Sequence, residues 1–139
     1  MKILIDSSTL YSAIAFPKTE NEMVKLLLEK HTLVITRYIE EELKRNFKES
    51  FSEGRKKDIL FELDMFTSKC EIKELEDYQE YLDLAKEKIS KKDAPILACA
   101  MLPDIDYLIA SDKEFWRVDC EKAKVLSSKM ARKILLSKL

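Results

Sequence analysis

Four short β-type runs constrain this chain more than anything else in it. They are Lys2–Ile5 (KILI), Thr32–Ile35 (TLVI), Tyr107–Ala110 (YLIA) and Ala123–Leu126 (AKVL). Brief, nearly continuous apolar runs are the mark of strands buried on both faces. The segments between them carry apolar residues three and four apart. Met23, Leu26, Leu27 and Leu28 do so within Asn21–Lys30, and Ile39, Leu43 and Phe47 in the helix that starts at Thr36. Strands alternating with helices give a parallel sheet covered on both sides. Right-handed crossovers then bring all strand carboxyl ends to one edge. The expected class is α/β: a three-layer α/β/α sandwich around a mostly parallel, twisted sheet of four to five short strands.

The remaining elements fill in between. Thr9–Ala15 predicts a short helix stopped near Pro17, and Ser52 with Gly54 predicts a break. Ile59, Leu60, Leu63 and Phe66 mark another helix, Cys70–Lys73 a short strand, and Tyr78 through Ile89 one further helix. The stretch from Asn46 to Ile89 reads as a helix-rich arm over one side of the sheet. Ser90–Asp93 resembles a capping box for a helix with Pro95 in its first turn, where a missing N–H costs least. Ser127 caps a final helix carrying Ala131, Ile134 and Leu135.

Size and composition narrow the class. A chain of 139 residues, 46% hydrophobic, predicts one domain over residues 1–139. Charged residues reach 37%, with one Gly and three Asn plus Gln, a profile that suits a thermophile. The net charge of −1 rules out a global basic footprint for duplex binding. Three cysteines without CxxC spacing and a lone His31 argue against a Cys/His zinc site, a disulfide framework and a histidine triad. No run reaches membrane-span length and no leader-like segment follows Met1–Lys2, so a cytoplasmic protein without membrane contact is expected.

Asp6 follows the first run directly. It suits a helix cap and equally a ligand site at the carboxyl end of a parallel strand; alone it does not choose. Asp112 follows YLIA one residue later, on the same rim. In the helix from Thr36, Glu41 points away from the apolar face while Glu40 and Glu42 flank it. Asp93 shares a helical face with Ile96, Leu97 and Ala100. Each acid has an ordinary reading as a cap or solvated charge. Several on one rim repel one another, and a hard divalent cation such as Mg²⁺ or Mn²⁺ relieves that repulsion.

The order of these motifs resembles the PIN-domain family of metal-dependent nucleases, which includes VapC-type toxins. The resemblance rests on ILIDSSTLYS, on TRYIEEEL, on the Asp-Ala step of DAPILACAM, and on IASDKEF; KVLSSKMARKIL also fits. It covers nearly the whole chain and selects Glu42 over its neighbours. It implies a Mg²⁺- or Mn²⁺-dependent endoribonuclease with one or two ions. Asp6, Glu42, Asp93 and Asp112 would be the catalytic and metal-binding acids, with Glu114 as a weaker ligand. Ser8, Thr9, Arg37, Lys91, Lys92 and Lys113 would contact RNA. A cognate antitoxin and a homodimer would be partners. The chain departs from the family pattern at Ala110, usually Thr, at Ser8, often Asn, and at Pro95; Ser111 offers a nearby hydroxyl. The rival expectation is a non-catalytic PIN-like scaffold that binds RNA or protein. A phosphotransfer domain with Asp6 as acceptor fits poorly, because Ser8 occupies the place of a second Asp and Lys113 is badly placed.

Overall fold

A computed structural model describes residues 1–16 and 19–136. Its centre is β1 (Lys2–Ile5), whose Ile3, Leu4 and Ile5 are wholly buried. β2 (Thr32–Thr36) and β4 (Tyr107–Ile109) flank β1; β3 (Glu71–Lys73) and β5 (Lys124–Leu126) form the edges. All four pairings are parallel, in the order β3-β2-β1-β4-β5. The register places Leu4 beside Val34 and Ile5 beside Ile109. The sheet thus has the expected class and the upper expected strand number.

The helices follow from the crossover rule. α1 (Ser7–Ala15), α2 (Thr19–Lys30), α3 (Arg37–Ser50) and α4 (Glu53–Thr67) connect β1 outward to β3 and pack on one another. The chain then returns across the sheet to β4. That reversal puts α5 (Leu75–Tyr78), α6 (Leu82–Lys88) and α7 (Ala94–Ala100) on the opposite face. α8 (Ser128–Leu135) closes against α2 and β5, and Ser127 caps it by accepting the Met130 N–H. Ile39, Leu43 and Phe47 bury the inner stripe of α3 as their spacing predicts.

Three expectations need correction. Gly54 does not break a helix; it sits in the first turn of α4, and the break falls at Phe51–Ser52. The helix from Tyr78 to Ile89 is three pieces, α5, a 3-10 turn at Gln79–Tyr81, and α6, with Ile89 extended beyond them. These pieces wrap α7 and bury the Tyr78 ring, which a straight helix would not follow. The helix-rich segment 46–89 does not lie over one side of the sheet: α3 and α4 cover one face and α5 and α6 the other, on either side of β3, the short strand expected at Cys70–Lys73. Pro17, expected to stop α1, lies outside the described residues.

Charge pairs clamp this sheet. Lys2 Nζ reaches Glu71 at 2.9 Å and Asp104 at 3.0 Å, and Lys73 Nζ reaches the same two carboxylates at 3.1 and 2.9 Å. Burial opposes ionisation of Glu71 and Asp104, but the two ammonium groups outweigh it and hold both acids below their usual range. Cys70, Cys99 and Cys120 are free thiols. Burial pushes Cys99 up to about 12, so it behaves as a small apolar side chain.

Candidate metal centre

Strand order reverses between β1 and β4, because β1 leads outward to β2 on one side and β4 to β5 on the other. Open α/β sheets bind ligands in the crevice beyond such a switch point. Asp6 ends β1 there and is only 2% exposed. Its Oδ1 accepts the Thr9 N–H at 2.9 Å, which caps α1. Its Oδ2 accepts the Ser111 N–H at 3.0 Å, and its own N–H donates to the Ile109 carbonyl at 3.0 Å. The Thr9 and Ser111 hydroxyls meet at 2.7 Å. Asp6 therefore caps a helix and fastens the loop after β4 in one arrangement. Burial pushes its carboxyl above the usual range; hydrogen bonds from Thr9 and Ser111 oppose this, and the nearby Asp112 charge adds to it.

That loop carries the next two acids. Asp112 Oδ1 accepts the Glu114 N–H at 2.9 Å, which folds Asp112–Glu114 into a turn. Glu114 Oε1 accepts the Ser90 N–H at 2.9 Å, and the Ser90 hydroxyl bonds Asp93 Oδ2 at 3.2 Å. The expected capping box is thus not formed. The Ser90 N–H goes to Glu114 rather than to Asp93, and Asp93 stands at the start of α7 with helical backbone angles. The result is a bridge from the β4 loop to the turn before α7. Asp93, Asp112 and Glu114 bring carboxylate oxygens within 4.8 Å of one another. Burial pushes Asp93 up, Ser90 opposes, and the Glu114 and Asp112 charges add to the rise.

Among the described residues these three form the one acid cluster of this kind; Asp6 and Glu42 stand outside it. Asp6 lies behind it, close enough for Asp112 to act on its charge. Glu42 is 8% exposed on α3 and lines a groove with Ser7, Ser8 and Lys92. Tyr38 connects these parts. Burial raises its phenol, the Glu42 and Asp93 charges raise it further, and its hydroxyl donates to the Lys92 carbonyl at 3.3 Å. Glu40 faces the other way, its carboxylate 2.6 Å from Arg37 Nη1.

The residues expected to contact RNA fall into two groups. Ser8 and Lys92 line the groove, and Lys91 and Lys113 are exposed beside the acids. Thr9 is wholly buried and spends its hydroxyl on Ser111. Arg37 spends its guanidinium on Glu40 and, through Nε and Nη2, on Glu74 at 3.3 and 2.8 Å. Sequence reasoning missed Ser90 and Tyr38 as supports. Ser90 had a local signal, its position three residues before Asp93, but its partner lies 24 residues away.

The chemistry of the donor set suits a hard divalent cation. Oxygens across a Mg²⁺ ion stand about 4.2 Å apart, from bonds of about 2.1 Å. Three oxygens on one octahedral ion also include adjacent pairs about 3.0 Å apart, so a set within 4.8 Å closes on such an ion through side-chain rotations that draw the oxygens up to about 2 Å nearer. Three carboxylates without nitrogen or sulfur favour Mg²⁺ or Mn²⁺ over zinc or copper.

Comparison with known proteins agrees with the fold. No curated protein sequence matches the chain. Among solved structures it is similar to a chain of VapBC2 from Rickettsia felis, bound to a DNA fragment from their promoter. That likeness has a TM-score of 0.68 at 20% identity and covers 91% of this chain and 100% of the other; it speaks for the fold. The sequence model of the PIN domain matches residues 3–120, a span that holds every acid of the cluster and both of its neighbours, Asp6 and Glu42. The chain belongs to the PIN domain family.

Proposed function

We propose that this protein is a Mg²⁺- or Mn²⁺-dependent endoribonuclease acting as one domain over its whole length, and the toxin of a toxin–antitoxin pair. The observation that carries this reading is the meeting of Asp93, Asp112 and Glu114 at the switch point of a PIN-family sheet. A cation held there supplies Lewis-acid polarisation of the phosphodiester and a water of lowered pKa. Asp93, Asp112 and Glu114 are the residues that would hold it. Asp6 fixes the position of Asp112 through the Ser111 amide and completes the negative field from behind. Glu42 extends that field toward the groove and orients water there. Lys91, Lys92 and Lys113 attract the RNA backbone to a site whose acids alone would repel it.

Partners follow from the same reading. The similar structure is described as VapBC2 on promoter DNA, which supports a cognate antitoxin for this chain. A homodimer and a cytoplasmic setting complete the proposal. The decisive experiment compares RNA cleavage by the wild type and Asp112→Asn with Mg²⁺, with Mn²⁺ and with EDTA. Cleavage that needs the ion and falls at least a hundredfold in the variant supports the proposal. Equal cleavage by both proteins, or cleavage in EDTA, overturns it. A silent binding module is the second reading, favoured by the position of Asp6 and Glu42 outside the three-acid cluster. Ion binding without turnover on any RNA would select it.

A further inference from the structure

The loop that carries Asp112 and Glu114 leaves β4 at Ala110 and re-enters the core at Phe115, which is 1% exposed. Its middle is open to water: Ser111, Asp112 and Lys113 are all exposed. Two hydrogen bonds shape it from within, from the Phe115 N–H to the Asp112 carbonyl at 3.2 Å and from the Trp116 N–H to the Lys113 carbonyl at 3.1 Å. A further bond joins its two ends. The Trp116 indole Nε1 donates to the Ala110 carbonyl at 3.0 Å, six residues back. Ala110 stands where the β4–β5 ladder runs out; its N–H still reaches the Leu126 carbonyl at 3.0 Å. β5 ends at Leu126 and Ser128 already belongs to α8, so the indole N–H stands where the next rung of the ladder would be. The ring itself is 46% exposed and borders a cleft of about 230 Å³ with Val125, Ser127 and Met130. A tryptophan this exposed adds little to the core, and its polar atom is the part that is used.

We propose that Trp116 is a positioning residue for the acid cluster: its indole N–H ties the ends of the loop together and so holds Asp112 and Glu114 at the spacing that a divalent cation requires. The inference rests on the cation site read above and names a side chain that shapes it from outside. Asp112 and Glu114 bring oxygens within 4.8 Å of each other and of Asp93, and like charges at that range push the loop open. Phe115 anchors the exit of the loop, but an apolar ring fixes depth rather than direction. A hydrogen bond adds direction, because it weakens steeply once donor and acceptor lose alignment. At the entry, the Ser111 amide is held by Asp6 at 3.0 Å. Trp116 does for the exit what Asp6 does for the entry, and it takes no part in bond making.

Trp116 is the one tryptophan of the chain. Growth of an auxotrophic host on an analogue therefore changes this side chain alone. Benzothienylalanine keeps the shape of the indole and replaces its N–H by sulfur; fluorotryptophan keeps the N–H. The readout is the Kd for Mg²⁺ by titration calorimetry, with melting in EDTA as a check on the fold. Benzothienylalanine at this position and Trp116→Phe each raise the Kd about fivefold, the equivalent of one ordinary hydrogen bond. Fluorotryptophan leaves it at the wild-type value. A purely structural tryptophan would lower the melting temperature and leave the Kd unchanged, and that result overturns the proposal. So does a Kd raised equally by both analogues. Wild-type protein that binds no Mg²⁺ overturns the cation site and this proposal together. Ion binding that responds to Trp116 in a protein that cleaves no RNA would overturn the ribonuclease reading and leave the positioning role intact.

Discussion

Replacing Asp112 by Asn is expected to stabilise the ion-free protein and to abolish its stabilisation by Mg²⁺. Asp112 holds a carboxylate oxygen within 4.8 Å of oxygens from both Asp93 and Glu114. Two like charges at that distance repel by about 0.9 kcal/mol in water and about 3.5 kcal/mol at an effective dielectric of 20. Asp112 is exposed, so the lower figure applies, and two partners give roughly 2 kcal/mol at low salt. Asn keeps an oxygen to accept the Glu114 N–H, so the turn survives the change. For a chain of this size, about 2 kcal/mol raises the melting temperature by about 6 °C. Calorimetry in EDTA at low ionic strength reads this directly. Mg²⁺ at a hundred times its Kd then adds about 2.7 kcal/mol to the wild type and little to the variant, so the order of stability reverses. A variant that melts at or below the wild type in EDTA, or equal stabilisation of both by Mg²⁺, refutes the shared-ion argument.

Thr9→Val removes the 2.7 Å contact with Ser111 and should cost about 1 kcal/mol, measured by chemical denaturation; Thr9→Ser should cost far less. Arg37→Ala should lower the melting temperature, because it leaves the buried Glu40 carboxylate without its guanidinium, yet leave RNA affinity unchanged. A large loss of RNA affinity would return Arg37 to the substrate site. Glu71 and Asp104 have lowered carboxyl pKa values, so their stabilisation is full above the ordinary values of 4.5 and 3.8 and is lost as pH falls through the lowered ones. Lys73→Met should flatten that acid limb by up to about 1 kcal/mol in pH-dependent melts. Asp93 is raised, so its contribution has the opposite sign: present below its ordinary 3.8 and lost as pH rises through the raised value. In EDTA, wild-type stability relative to Asp93→Asn should therefore decline over that window, and a flat difference would refute it.

The sheet was legible because its strands carry their own signal. Ile3–Ile5 and Leu33–Ile35 are apolar on both faces, and parallel order follows from the helices between them. The acids were legible one at a time, through their places at strand ends and on a core-facing stripe. Their grouping was not, since it depends on which backbone amides and hydroxyls lie near them in space. Ser90 looks like a cap for Asp93 by local spacing, but the Glu114 carboxylate competes for its amide from a distant loop. The same contact lifts Glu114 from a peripheral candidate into the tight cluster. Thr9 shows the reverse: its hydroxyl reads as free for substrate until Ser111 is brought 102 residues back to meet it. The broken segment from Tyr78 to Ile89 was hidden because each piece keeps helical spacing while the whole bends around α7.

The strand order also sets a schedule for synthesis. Asp6 and the Ser111 amide that holds it are separated by 105 residues. At about 5–20 residues per second, a ribosome needs on the order of 5–20 s to travel that far. Once Thr32–Thr36 has been made, β1 has β2 on one side and no β4 on the other for the rest of that interval, so its unpaired backbone edge is open to chance partners. The nascent chain also lacks Asp112 and Glu114, and with them two of the three acids that meet. Translation stopped before this point leaves a fragment with half a crevice. Strand order therefore withholds the site until nearly the whole chain has been made.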